Sequence, residues 1–121
     1  MRLFALRGAA SVERNGAAEI LAATEELLLT LLERNALAPG DVVSCIFTCT
    51  QDLDAEFPAV AARAIGFGRV PLLCTRELDV PGALPRVIRV LMHYYAPLGH
   101  EARHVYLGEA RALRLDLEGA Q

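Results

Sequence analysis

Arg89 stands inside an apolar run, Val87-Ile88-Arg89-Val90-Leu91. A guanidinium keeps its proton in practice, grips a carboxylate through parallel N–H donors, and is costly to bury unless something pairs with it. Just upstream, Val70 to Cys74 reads as a short apolar strand running on to Glu77, and Pro81-Gly82 marks a turn back. Arg7 at the end of a first strand, Arg63 on a short helix and Arg114 near the C-terminus are further arginines at element ends. Converging arginines would hold a small polycarboxylate. The plain alternative is surface ion pairing with the fifteen acidic residues. Spacing leaves both readings open. It also leaves open whether Cys74 and Glu77 face a pocket or belong to core and loop.

The composition excludes other chemistries. All twelve basic residues are arginine, so a Schiff-base lysine or a phosphate-loop lysine is ruled out. His93, His100 and His104 are dispersed, and no Ser-His-Asp or Cys-His arrangement stands out. His104 and Tyr106 alternate onto one strand face, where a lone histidine is usually structural. Cys45 and Cys49 lie roughly 13 Å apart if on one strand, too far to be bridged. Both read as buried thiols, and nothing has zinc-site spacing. Gly66-Phe67-Gly68 is too short for a nucleotide fingerprint and reads as a turn. A formal net charge of −3 argues against nucleic-acid binding. No apolar run reaches the ~18 residues of a membrane span, and the N-terminus lacks a signal-peptide core. The expectation is a cytoplasmic protein with no membrane association. Hydrophobic residues make up 54% of the chain, an excess that points to burial between subunits of a homo-oligomer.

The elements that must position these residues follow from periodicity. Residues 2–8 form a first strand. Ile20, Leu21, Thr24, Leu27, Leu28, Leu31 and Leu32 make the apolar stripe of a long helix, with Ser11 or Asn15 as its expected cap. Val42 to Thr50 is a central strand by its β-branched content. Pro58 opens a short helix through Ala64, and Val70 to Cys74 is a third strand. Arg86 to Tyr95 and Arg103 to Ala110 complete five strands. The order is β-α-β-(short α)-β-β-β, one α+β domain over residues 1–121, with about 112–121 as a tail.

Six segments then carry a resemblance. They are Arg7-Gly8-Ala9 with Val12-Glu13; Asp52-Leu53 with Phe57-Pro58-Ala59, Ala61 and Arg63; Val70-Pro71-Leu72, Cys74 and Glu77 with Val80-Pro81-Gly82; Ile88-Arg89-Val90; Arg103-His104-Val105-Tyr106-Leu107; and Leu113-Arg114 with Asp116-Leu117. In this order and spacing the chain resembles the AroH-class monofunctional chorismate mutases of bacteria over nearly its whole length. The resemblance implies a mixed five-stranded sheet with one long and one short helix. It implies a homotrimer forming a pseudo-α/β-barrel, with active sites at subunit interfaces. The implied reaction is the Claisen rearrangement of chorismate to prephenate, on the route to phenylalanine and tyrosine, with no cofactor and no metal.

That reaction suits a site without nucleophile or base. It needs a flexible substrate held in a compact conformer and positive charge at the breaking ether bond. By resemblance Arg89 supplies that charge in a desolvated setting. Arg7 and Tyr106 hold a substrate carboxylate, and Glu77 and Cys74 meet the ring hydroxyl. Phe57, Ala59, Leu72 and Leu73 line an apolar wall. Arg63 and Arg114 sit at the mouth, with Leu113 beside Arg114 in a tail that closes over the ligand. Val60, Leu73 and Leu115 depart from the lysine, threonine and proline of some members, which bears on affinity more than on the chemical step. Two other readings stand beside this one: a non-catalytic trimeric binding module for an aromatic-pathway carboxylate, and a purely structural oligomer.

Overall fold

The computed structural model describes residues 1–113. Its five-stranded mixed sheet comprises β1 (Arg2–Ser11), β2 (Val42–Cys49), β3 (Leu72–Arg76), β4 (Val87–Ala96) and β5 (Val105–Leu107). The strand order is β3-β2-β4-β1-β5. β4 pairs antiparallel with both β1 and β2, while β2–β3 and β1–β5 are parallel. Helices α1 (Ala17–Arg34) and α2 (Pro58–Ala62) pack on one face of the sheet. Among the described residues, no helix is long and apolar enough to cross a membrane.

Of the stripe expected on α1, Ile20, Thr24, Leu27, Leu28, Leu31 and Leu32 are buried against the sheet, while Leu21 at its edge is only half-buried. Neither expected cap is used. Gly16 occupies the N-cap without a side-chain bond. The Asn15 carboxamide instead accepts from the backbone N–H groups of Asp54 and Ala55, each at 3.1 Å. Ser11 Oγ accepts from the N–H of Glu109 at 2.8 Å. Both side chains join distant loops, and those partners are invisible to local sequence. At the other end of α1, buried Asn35 brackets Arg103, donating to its carbonyl at 3.0 Å and accepting from its N–H at 2.8 Å.

The close seat of α1 depends on Gly8. A Cβ built there would lie 2.9 Å from Leu31 Cδ1, 3.1 Å from Leu27 Cδ1 and 3.2 Å from Val90 Cγ1. Gly8→Ala is expected to cost about 1–3 kcal/mol, because fully buried leucines must be displaced. Urea unfolding of the two proteins measures it.

Several boundaries differ from expectation. β1 continues to Ser11, so Arg7 lies inside a strand and does not close one. β2 is interior, but β4 holds the centre. β3 is displaced to Leu72–Arg76. Arg86 precedes β4 at φ 51°, held by the Asp52 carboxylate, which accepts its N–H at 3.1 Å. β5 is only Val105–Leu107, because Gly108 at φ 62° turns the chain into a 3-10 turn, Gly108–Ala110. After α2 the chain runs on as a widened turn, Arg63–Phe67, broken at Gly66 with φ 114°; this is the expected glycine turn. Cys45 is buried, but Cys49 is only half-buried.

Candidate active site

The register of the sheet explains where the polar residues go. On β4 the side chains of Ile88, Val90, Met92 and Tyr94 are buried on the helix side. Period-two alternation sends Arg89, Leu91, His93 and Tyr95 to the opposite face. Arg89 is therefore not enclosed by its apolar neighbours in sequence; its side chain keeps 45% of its accessibility. The expected desolvated setting does not exist within one chain. The reason is that a continuous apolar run on a central strand feeds two faces, and Leu91 belongs to the open one.

Two rungs of that open face build the site. Thr48 pairs with Arg89, Arg89 with Ala9, and Ala9 with Tyr106. In the next rung, Leu73 pairs with Ile46, Ile46 with Leu91, and Leu91 with Arg7. A cavity of about 560 Å³ lies over these rungs, lined chiefly by Arg7, Ile46, Thr48, Glu77, Arg89 and Tyr106. Leu113 also lines it, packed against the small cluster of Ala9, Val87 and Ala110. The volume suits a small-molecule ligand.

Glu77 follows the end of β3 and reaches the open face. Its N–H donates to the carbonyl of Cys49 at 2.9 Å, extending the β2–β3 pairing by one step. Its Oε1 lies 3.1 Å from Arg89 Nε. The Thr48 hydroxyl donates to the same oxygen. Among the described residues the terminal N–H groups of Arg89, the guanidinium of Arg7 and Glu77 Oε2 have no protein partner. The cavity thus offers two guanidiniums and one carboxylate oxygen to a ligand, against apolar walls of Ile46, Leu91 and Leu113.

His104 fixes the backbone at Arg7. Its Nδ1 accepts from the Arg7 N–H at 3.0 Å, which requires the ring to be unprotonated there. Burial, and then the Arg7 charge, lower its pKa from the usual 6.5. The folded state thus binds this proton less readily than the unfolded chain. The resulting stability is complete above 6.5 and is lost as pH falls through the lowered folded value. His104→Gln supplies an acceptor that does not titrate. It is expected to flatten the stability profile below pH 6.5 relative to the parent, as followed by denaturant midpoints.

The remaining expected residues lie elsewhere. Cys74 pairs with Phe47, so it points to the helix side, while Glu77 reaches the other face. Cys74 and Phe57 line a second cavity of about 510 Å³ at the free edge of β3, with Cys49 and Arg76. Burial holds the Cys45 thiol up at about 12. Burial, with Cys74 and Glu77 adding to it against Arg76, holds Cys49 up at about 11. Both are neutral thiols at neutral pH, unsuited to nucleophilic work. Ala59 is buried beneath the sheet, Leu72 packs against the same core, and Leu73 is exposed on the open face. Arg63 is exposed after α2 and lines neither cavity. Arg114 and Leu115 lie outside the described residues. Sequence reading misses Thr48 and Ile46. Alternation along β2 groups them on one face, but only the β2–β4 register places Thr48 beside Arg89.

The chain is similar to known proteins throughout its length. A family model described as chorismate mutase type I matches residues 3–117. Chorismate mutase AroH of Thermus thermophilus is 52% identical over 118 residues, 96% of this chain and 97% of that protein. The Bacillus subtilis chorismate mutase AroH is 42% identical over 119 residues, covering 97% and 94%. A solved chorismate mutase from Clostridium thermocellum superposes with a TM-score of 0.86 at 46% identity, covering 90% of this chain and 98% of that one. With the mixed sheet and the arginine-lined cavity of its open face, the chain belongs to the chorismate mutase type I family.

Proposed function

We propose that this protein is an isomerase that converts chorismate to prephenate, and that the cavity over β4 holds the reacting dianion. The observation that carries the reading is Arg89, engaged by Glu77 on its Nε side and facing the cavity with its terminal donors. In the rearrangement one C–O bond breaks as one C–C bond forms, with no proton transferred. Electron density collects on the ether oxygen as the bond lengthens. A fixed cation there is worth more in the transition state than in the ground state, which is what accelerates a step. Arg7, with Tyr106 beside it, serves a substrate carboxylate, since arginine matches that group's planar geometry. Glu77 Oε2 accepts from the ring hydroxyl. The apolar walls favour the compact conformer over the extended one.

The second set of residues belongs to the same site if it comes from a neighbouring subunit. Phe57, Arg63, Leu72 and Cys74 do not join Glu77 and Arg89 on the open face of their own chain, since Leu72 and Cys74 point to the helix side and Phe57 and Arg63 lie outside the cavity. The open face also leaves Leu3, Leu73, Leu91 and Tyr95, large apolar side chains, substantially exposed in one chain. A homotrimer assembled through this face would cover the apolar row, exclude water from Arg89 and bring the two sets together. Ala59 then acts as packing behind the wall. Arg114 would complete the mouth, in the C-terminal segment that follows Leu113.

The test is loss of chorismate absorbance with purified protein, with prephenate identified as product. Loss well above the uncatalysed rate supports the reading. No loss at high enzyme concentration sinks it and favours a binding module for an aromatic-pathway carboxylate.

A further inference from the structure

Glu77 is not rigidly placed by its own element. It lies one residue beyond the end of β3, where the ladder supplies a single backbone bond from its N–H to Cys49. Three side-chain dihedrals separate that anchor from the carboxylate. Something else must decide which way the two oxygens point.

The Thr48 hydroxyl is placed to do so. Thr48 sits on β2 directly across from Arg89, half-buried in the cavity wall. Its backbone is fixed on both sides, by Arg89 of β4 and by Thr75 of β3. Its β-branched side chain is stiff about χ1. The hydroxyl donates to Glu77 Oε1, the same oxygen that approaches Arg89 Nε at 3.1 Å. The Thr48 hydrogen bond and the Arg89 ion pair both fall on Oε1 and leave the other oxygen, Oε2, for a ligand. They also tie the carboxylate and guanidinium into one unit.

We propose that Thr48 is a positioning residue for the reaction, acting through Glu77 to fix both its carboxylate and the Arg89 guanidinium. The proposal rests on the reading of the cavity as the chorismate site. Without the hydroxyl, Glu77 gains rotamers, Oε1 can leave Arg89 Nε, and the cation aimed at the ether oxygen loses its brace. The substrate still binds through Arg7, so the loss falls on turnover more than on KM.

The experiment compares Thr48→Val, Thr48→Ser and Thr48→Ala, each alone and with Glu77→Ala. Valine matches threonine in shape and favours a strand, so it isolates the hydroxyl; the alanine variant repeats the deletion if valine disturbs packing, and thermal melting reports folding. Loss of a hydrogen bond to a charged group predicts a fall of about tenfold or more in kcat/KM for Thr48→Val, mostly in kcat. Thr48→Ser is expected to recover most of it. In the Glu77→Ala background the valine change is expected to add almost nothing, because the group it acts through is gone. Full additivity in that background, or no rescue by serine, overturns the proposal. Turnover by the parent protein in the same assay keeps the two questions apart: an inactive parent rejects the chorismate reading, while an active parent with a fully active Thr48→Val rejects only the role of Thr48.

Discussion

Arg89→Ala is expected to lower kcat by at least about 10²–10³-fold while leaving the fold intact. The magnitude follows from what one preorganised donor is worth at a developing oxyanion, about 2.7–4 kcal/mol. Arg89 brings a full charge as well as two terminal nitrogens. The fold should tolerate the change, since the side chain lies on the open face of β4, and the neighbouring core residues Ile88 and Val90 are untouched. Arg89→Lys separates charge from shape. A lysine keeps the positive charge but loses the planar fork and the Nε contact with Glu77. It should recover only part of the loss. Citrulline at the same position keeps the donors and removes the charge, and is expected to remain close to alanine. Chorismate consumption under saturating substrate gives kcat for each, and thermal melting confirms folding. Near-normal turnover in Arg89→Ala would remove the cation from the mechanism. A citrulline enzyme as fast as the parent would show that hydrogen bonding suffices without charge.

The residues of this site differ in how plainly the amino-acid sequence announces them. The stripe of α1 is legible because one helix face meets one sheet face, and that is a local pattern. The polar status of Arg89 is equally plain, yet its surroundings are not. Val87, Ile88, Val90 and Leu91 look alike in sequence, but Ile88 and Val90 face the helices while Val87 and Leu91 lie on the other side. There Val87 is covered by Leu84 and Ala110, and Leu91 is left open. Alternation separates these residues once the strand boundary is known. Thr48 has no such signal. A threonine on a β-rich strand is ordinary, and its importance depends on a register between β2 and β4 that joins residues far apart in the chain. The expected caps of α1 fail for the same reason: Asn15 and Ser11 have the right chemistry but are taken by Asp54, Ala55 and Glu109. Grouping Cys74 with Glu77 meets another limit. Proximity in sequence hides the fact that β3 sends Cys74 to the helix side, while the turn after it carries Glu77 to the open face.

That separation leads to the second large effect. Two inactive variants are expected to restore activity when mixed as subunits. One carries Arg89→Ala, which damages the open-face cavity. The other carries Phe57→Ala with Arg63→Ala, which damages the set of residues near the free edge of β3 and the end of α2. If each site draws one set from each of two adjoining subunits, a ring of randomly mixed chains contains intact sites wherever an unaltered open face meets an unaltered edge. For equal amounts of the two chains that is about one site in four, whatever the size of the closed ring. Co-refolding from denaturant, or co-expression, gives the mixed assembly, and its turnover is compared with that of each parent alone. Recovery to roughly a quarter of the unaltered enzyme supports the shared site. If both sets served the same chain, every site in the mixture would keep one defect, and activity would stay at the mean of the two parents. The physical case for sharing is electrostatic as well as geometric. A cavity on one bare sheet face leaves Arg89 substantially in water, where its attraction for a developing negative charge is weak. Covering the apolar row of Leu73, Leu91 and Tyr95 with a second subunit would displace that water and strengthen the same charge without moving it.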